Sequence, residues 1–363
     1  MTDVAVVGAG LIGAAIARRL ADAGASVAVV EAARPGGGAS LATFAWVNAV
    51  GKAPRAYFDL NVEGMAEHRR IRDELDGAAW YHAGGNLEWT TGGDELPAKI
   101  ERHREQGYGV ERMDGVRLGE LEPDVALDGE VVAARYADDA WVDPILIIRR
   151  MLDHPGIDLV APVGVTAFGT TGGRVTGVEL SDGRRIASDA VVVAAGPDTG
   201  ELTRRLGFAV PMRHAPGLLV VTEPAPVRVS HMLHPKGVAI RPDGAGRLLL
   251  GSDGIDRQIE PAGSHLRVPE ATDELMRRAI AVLPRLAGTR VEAVRIGRRA
   301  LTADGLPAIG PLPGQQGAYV AVTHSGITLG PLIGRLVADE LRGTPDPRLE
   351  DYRPDRFAAT TAG

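Results

Sequence analysis

The chain has 363 residues, 45% of them hydrophobic and 24% charged, which is enough for a sizeable core spread over two domains. A net charge of −7 gives no electrostatic case for nucleic acid or an anionic membrane, and no run of about eighteen apolar residues predicts a membrane span. Cysteine is absent, which excludes disulfides, thiolate catalysis, a zinc–thiolate centre and a cysteinyl bond to a cofactor.

The first predicted strand, Val4 to Val7, begins so near the N-terminus that no signal peptide is expected, and a cytoplasmic location follows. Its continuous apolar run suits a strand buried on both faces. It breaks into G-x-G-x-x-G at Gly8, Gly10 and Gly13. Gly8 permits a tight turn, Gly10 lets backbone approach a pyrophosphate, and Gly13 lets the next helix pack on the strand. Leu11 and Ile12 open that helix, whose N-terminus aims free N–H groups and a positive dipole end at the phosphates. Val27 to Val30 is a second buried strand, and Glu31 at its end lies where ribose hydroxyls are expected. Ala32 leads into a loop, Gly36-Gly37-Gly38-Ala39-Ser40, whose backbone can bend closely around a ligand.

Residues 53–76 carry apolar residues at helical spacing. Tyr81 to Thr91 reads as strand with a turn at Gly84-Gly85, and Lys99 to Gln106 as a short charged helix. Pro144 opens a helix through Met151. Strands are predicted at 157–160, 163–168, 175–180 and 185–186, with Asp182-Gly183 as a hairpin turn. Ala190 to Ala195, ending at Gly196, reads as another fully buried strand. Segments 218–221, 238–240 and 248–250 suggest a second, antiparallel sheet, and Glu270 to Leu283 an amphipathic helix. Arg295 to Gly310 reads as loop-rich. Tyr319 to Val322 is a buried strand that runs through a glycine loop, Ser325 to Pro331, into a helix from Leu332 to Leu341.

The order of these motifs, from G-A-G-x-x-G at residue 8 through the V-V-V-A-A-G strand to Asp304-Gly305-Leu306-Pro307 and S-G-I-T-L-G-P, resembles the D-amino-acid-oxidase-like flavoproteins, glycine and sarcosine oxidase among them. The resemblance implies an α/β fold, with a discontinuous Rossmann-like FAD-binding domain of the glutathione-reductase type over 1–52, 143–210 and 293–363. It also implies an α+β substrate domain over 53–142 and 211–292 with a mostly antiparallel sheet. The cofactor implied is FAD. Its expected contacts are Gly8, Gly10, Leu11, Ile12, Gly13, Glu31, Ala32, Gly38, Ala39, Ser40, Val165, Ala195 and Gly196. Gly326, Ile327, Thr328 and Leu329 would face the pyrimidine end of the flavin. With no cysteine, and no histidine between residues 32 and 52, the FAD is expected to be non-covalent.

The activity implied is oxidation of the amine of a small amino acid or N-substituted glycine. A hydride passes from the carbon next to nitrogen to flavin N5, and the imine then hydrolyses. Arg299 corresponds to the arginine that pairs with the substrate carboxylate, although Ala300 replaces the usual proline and the neighbouring Arg298 leaves the register open. His324, just before the flavin-facing loop, is the second catalytic candidate, and a loop-bracing role is the alternative. The strand Arg247 to Gly251 lacks the lysine that sarcosine-type oxidases carry there, so the acceptor is oxygen or another electron carrier. Two further readings stay open: an FAD-dependent D-amino-acid or 2-hydroxy-acid dehydrogenase, and a non-catalytic flavin-binding subunit. His231 and His234 have no acidic neighbours that would make a metal site. Self-association is left open.

Overall fold

The computed structural model describes residues 2–93, 95–259 and 268–360. The first strand, Thr2–Val7, lies at the centre of a parallel sheet, between Val27–Val30 and Arg185–Val193. Ile157–Val160 and Ala318–Val322 extend the sheet on either side, again in parallel. Alternate residues of these strands feed two cores. Val4, Val6, Val192 and Ala321 pack under the helices, while Ala5, Val7, Val191 and Val320 join a second cluster on the opposite face. Burial on both faces explains the unbroken apolar runs. Arg185–Val193 serves two sheets' worth of partners: its start pairs antiparallel with Arg174–Leu180, its end in parallel with the first strand.

Two helices lie side by side on one face, Leu11–Asp22 and Gly326–Leu341. Their approach is made by a glycine stripe at i, i+4 and i+8. A Cβ at Gly330 would stand 2.9 Å from Leu11 Cγ, and one at Gly334 2.7 Å from Ala15 Cβ. A third helix, Arg55–Glu74, crosses the start of the last one, and Gly64 allows backbone contact there, 2.7 Å being left between its would-be Cβ and the Thr328 carbonyl.

A second sheet runs in the order Val291–Arg298, Pro216–Thr222, Leu248–Gly251, Ala239–Pro242, Met232–Pro235, Asn86–Thr90, Val132–Tyr136, Glu111–Asp114. All its pairings are antiparallel except one, between Asn86–Thr90 and Met232–Pro235, strands that are far apart in the chain. The expectation of an α/β fold with a Rossmann-like unit and a mostly antiparallel second sheet is met. One face of this sheet is covered by Val268–Val282, through Leu275 and Ala279. The other presents Leu219, Val221 and Leu249 to Phe44, in the loop that leaves the first unit.

Two local expectations are corrected. Arg295 to Gly310 is not loop throughout, because Val291–Arg298 is an edge strand of the second sheet. Only its alternate residues are half-buried, and the period is hidden because Arg295 lies on the half-buried face while Val294 and Ile296 lie on the exposed one. The last helix begins at Gly326, not at Leu332. Pro331 reads as a helix start, yet it stands inside, where its missing N–H leaves the carbonyl of Ile327, four residues back, without its helical partner.

Candidate active site

Gly8 holds a positive φ of 108° and donates its N–H to the Val30 carbonyl at 2.8 Å, ending the strand in a turn. A Cβ there would lie 2.5 Å from the Ala194 carbonyl oxygen. A Cβ at Gly13 would fall inside the Gly8 carbonyl, so helix and turn can touch only through glycine. Gly10 is different. It is the N-cap of the first helix with no side-chain cap, and the nearest atom to its would-be Cβ is the Ser40 hydroxyl at 3.4 Å. Gly38 has open space where its Cβ would be. Ser40 Oγ accepts the Leu11 N–H at 3.3 Å, which ties the second loop to the helix start. An uncapped helix end with clearance over Gly10 and Gly38 fits the diphosphate of a dinucleotide.

Glu31 accepts N–H groups from Ala9 and Ala33, each at 2.9 Å, so its carboxylate is fixed between the glycine turn and the exposed Ala32–Ala33 segment. Ala39 lies half-buried beside Ser40. Gly196, φ 57°, turns the chain after Ala195 at the end of the neighbouring strand. Val165 opens Val165–Thr171 just after Val163, whose N–H is donated to the Glu31 carbonyl at 2.8 Å, and its own carbonyl accepts from Arg205 at 3.3 Å.

The second helix end converges on the first: a Cβ at Gly326 would lie 3.5 Å from Ile12 Cδ1. Ser325, its N-cap, makes no capping bond, and its hydroxyl is held by Tyr57 at 2.8 Å. Thr328 Oγ1 accepts the Asn48 N–H at 3.2 Å and donates to the Trp46 carbonyl at 3.3 Å. Ile327 is half-buried, whereas Leu329 is wholly buried in the core, so a ligand could meet only its backbone. Two uncapped helix N-termini thus stand side by side, a place for negative charge.

Beside them is a charged recess. Arg299 follows the edge strand and donates to Asp253 at 2.9 Å and, in a short contact, to Asp256. Arg298 points the other way, to Asp198 at 2.9 Å. Asp253–Asp256 is a single helical turn capped by Ser252. Asp256 is 8% exposed and also accepts the Leu218 N–H at 2.8 Å, whereas Asp253 is 73% exposed. Burial raises the Asp256 carboxyl; at Asp253 burial pushes up too, but the Arg299 charge outweighs it and the group is lowered. His324 lies exposed beside these groups. Desolvation, with the charges of Lys52 and Arg299, pulls it down to about 4, so it is neutral at physiological pH. Lys52 is half-buried and lowered by desolvation, with Asp253 opposing.

Sequence reasoning singled out Arg299 and His324, and both line this recess. It missed Lys52, Asp253 and Asp256. A signal for Asp253 and Asp256 was the i, i+3 pair of acids behind Ser252; for Lys52 it was the rarity of lysine. Tyr57, Trp80, Tyr81 and Trp89 are core, while Trp46 is half-buried and stacks on His234 at 4.2 Å. His231 is spent on Glu122 at 2.6 Å and His234 on Asn86 at 2.5 Å, and no cluster of three metal-ligating side chains occurs among the described residues. Nor, among them, is any helix long and apolar enough to cross a membrane.

A profile of the FAD dependent oxidoreductase family matches residues 3–340. A glycine oxidase of Pseudomonas putida is 33% identical over 196 residues, which is 53% of this chain and 52% of that one. A glycine oxidase of Bacillus licheniformis is 28% identical over 361 residues, 94% of each chain. The crystal structure of glycine oxidase from Geobacillus kaustophilus superposes with a TM-score of 0.86, covering 98% of both chains at 26% identity.

Proposed function

The chain belongs to the FAD dependent oxidoreductase family, as an FAD-dependent amine or amino-acid oxidoreductase, and we propose that it oxidises the amine of a small amino acid or N-substituted glycine in the cytoplasm. FAD, when bound, supplies the two-electron acceptor for a hydride leaving the carbon next to nitrogen, and the imine hydrolyses in water. The residues that would hold it are the turn Gly8–Gly13, Glu31, the Gly38–Ser40 loop and the first turn of the last helix. The two uncapped helix ends offset the negative charge of a diphosphate and of a reduced ring.

The substrate carboxylate is taken by Arg299. Asp253 is its displaceable partner: exposed, and held by one hydrogen bond. Asp256 stays in place because its second oxygen is fixed by backbone. A guanidinium anchored on one side and open on the other makes a planar, bidentate seat for a carboxylate and so orients the neighbouring carbon. The observation that carries the reading is this half-open guanidinium beside two converging helix ends. The likeness to glycine oxidases supports the substrate class.

The test is anaerobic mixing of FAD-loaded protein with small amino acids and N-substituted glycines, followed by flavin bleaching. Arg299→Ala should weaken the substrate far more than FAD, and equal loss of both would remove the anchor role. An oxygen electrode then tells whether oxygen or another carrier takes the electrons.

A further inference from the structure

Cationic side chains in this protein are almost all arginine: of 40 lysines and arginines, only Lys52, Lys99 and Lys236 are lysine. Lys99 holds Glu88 at 2.6 Å, and Lys236 is exposed in a turn. Lys52 has neither arrangement. It is half-buried in the recess, and among the described residues no carboxylate reaches salt-bridge distance of its amine. A guanidinium keeps its proton throughout the accessible pH range, whereas an amine can give it up. A lysine in the recess of an arginine-using chain is therefore a chemical distinction.

The backbone beneath Lys52 is fixed to the site. Its N–H closes a turn on the Ala49 carbonyl at 3.3 Å. The same turn is pinned by Asn48 N–H on Thr328 Oγ1 at 3.2 Å and by the Tyr108 hydroxyl on the Ala49 N–H at 3.1 Å. Thr328 belongs to the first turn of the last helix, so the lysine is held against the helix end that defines the site. The titratable groups facing it are Asp253, from the short turn after Leu248–Gly251, and the neutral His324, from the segment before the last helix. Arg299 and Asp256 stand behind Asp253.

We propose that Lys52 is the general base of the reaction, its Nζ taking a proton from the ammonium of the bound substrate. This rests on the reading above that the substrate is an amine. Amino acids arrive protonated at neutral pH, and a hydride can leave the adjacent carbon only when the nitrogen lone pair is free to form the imine. In the step, one N–H bond of the substrate ammonium breaks and its electron pair stays on nitrogen. The proton joins the lone pair of Lys52, which becomes an ammonium beside Asp253 and later releases the proton to water. The two-electron acceptor is the one the family activity supplies. Burial without an ion pair favours the neutral amine needed at the start. His324 is a poorer base, because its lone pair is already weakened to about 4.

The experiment uses the FAD-loaded holoenzyme, reduced anaerobically by an amino acid that bleaches the wild type, from roughly pH 6 to 10. Lys52→Met and Lys52→Arg should each lose about 10²–10⁴-fold in the rate of reduction at neutral pH. The deficit should shrink as the pH approaches the substrate's own ammonium pKa, where free amine is delivered directly. Lys52→Arg should do no better than Lys52→Met, although it keeps the charge. A deficit equal at every pH, or an arginine variant at the wild-type rate, overturns the proposal. A second readout does not depend on turnover: ¹³C-dimethylated holoenzyme is titrated by NMR, and the resonance missing from Lys52→Met is assigned to Lys52. It should titrate below the ordinary lysine value of about 10.4, and titration there or above overturns the role. If no amine bleaches the wild type, the substrate reading itself fails, and the base role falls with it.

Discussion

His68 donates its Nε2–H to the carbonyl of Ile327 at 2.7 Å. That carbonyl is the one Pro331, four residues on, cannot satisfy. The helix Arg55–Glu74 thus supplies the hydrogen bond that the last helix lacks, at the turn where the site begins. His68 is fully buried, and desolvation pulls its imidazole down to about 4, so the neutral ring donates through one nitrogen. His68→Ala leaves a buried carbonyl unpaired, at a cost of about 1–3 kcal/mol. Urea unfolding should show that loss, together with weaker FAD binding because the first turn of the helix loosens. An unchanged midpoint would mean that water replaces the ring at no cost.

Gly10 and Gly13 separate folding from cofactor binding. Gly13→Ala drives a methyl into the Gly8 carbonyl, backbone against backbone, and should destabilise the first unit severely. Gly10→Val meets only the Ser40 hydroxyl at 3.4 Å, in an extended conformation open to any residue. It should fold with a midpoint near that of wild type, yet take up FAD poorly, because its side chain fills the clearance over the helix end. Normal FAD content in purified Gly10→Val would show that the diphosphate passes elsewhere.

Much of this was legible before any coordinates, for physical reasons that also explain what was not. Glycines whose Cβ would collide with backbone, such as Gly8 and Gly13, leave a spacing that no other residue can imitate. Strands buried on both faces leave continuous apolar runs, as at Val27–Val30. The recess left no such trace. Arg299 meets Asp253 across 46 residues and Asp256 across 43, and a long-range ion pair has no periodicity. The start of the last helix was hidden because Pro331 ordinarily marks a boundary, and its rescue comes from His68, far earlier in the chain. The edge strand Val291–Arg298 was hidden because its exposed face carries Val294 and Ile296 and its half-buried face Arg295, which blurs the alternation.

Stability should fall on acidification below about pH 6.5, with two raised carboxyls, Asp139 and Asp256, opposing. Desolvation lowers His68 and His103 to about 4 and His234 to about 3. For each, the unfolded chain binds the proton first, so stability drops as pH falls from about 6.5 towards those values. Asp139 has the opposite sign. Desolvation raises it to about 7, against bonds from Tyr108 and from Trp46 Nε1 at 2.8 Å. Between about pH 4 and 7 the native state therefore holds the extra proton, and this group, like the raised Asp256, gains stability as pH falls. These histidines, together with His324, outweigh the two carboxyls. Asp139→Asn removes its opposing contribution, so the difference in unfolding free energy between pH 7 and pH 4 should widen. A variant with an equal or shallower slope would show that Asp139 ionises normally in the folded protein.

The two carboxylates on Arg299 should behave differently when neutralised, because one is structural and the other exchangeable. Asp256 is 8% exposed and bridges the guanidinium to the backbone of Pro216–Thr222 through the Leu218 N–H. Asp256→Ala removes both bonds and leaves Arg299 tethered only to a solvent-exposed acid. Loss of a partner from a fully buried pair costs about 3–5 kcal/mol, but a third of Arg299 remains exposed, so a loss of roughly 2 kcal/mol is expected. Asp253 is 73% exposed and its side chain accepts from the guanidinium that a substrate carboxylate would need. Asp253→Asn should leave the unfolding midpoint within about 0.5 kcal/mol of wild type. It should also tighten the binding of acetate, a carboxylate without an amine, as read from the perturbed flavin spectrum, because the competing internal carboxylate is gone. Weaker acetate binding in Asp253→Asn would mean that Arg299 and Asp253 act as one unit, and the carboxylate seat would then have to be sought at a different cation.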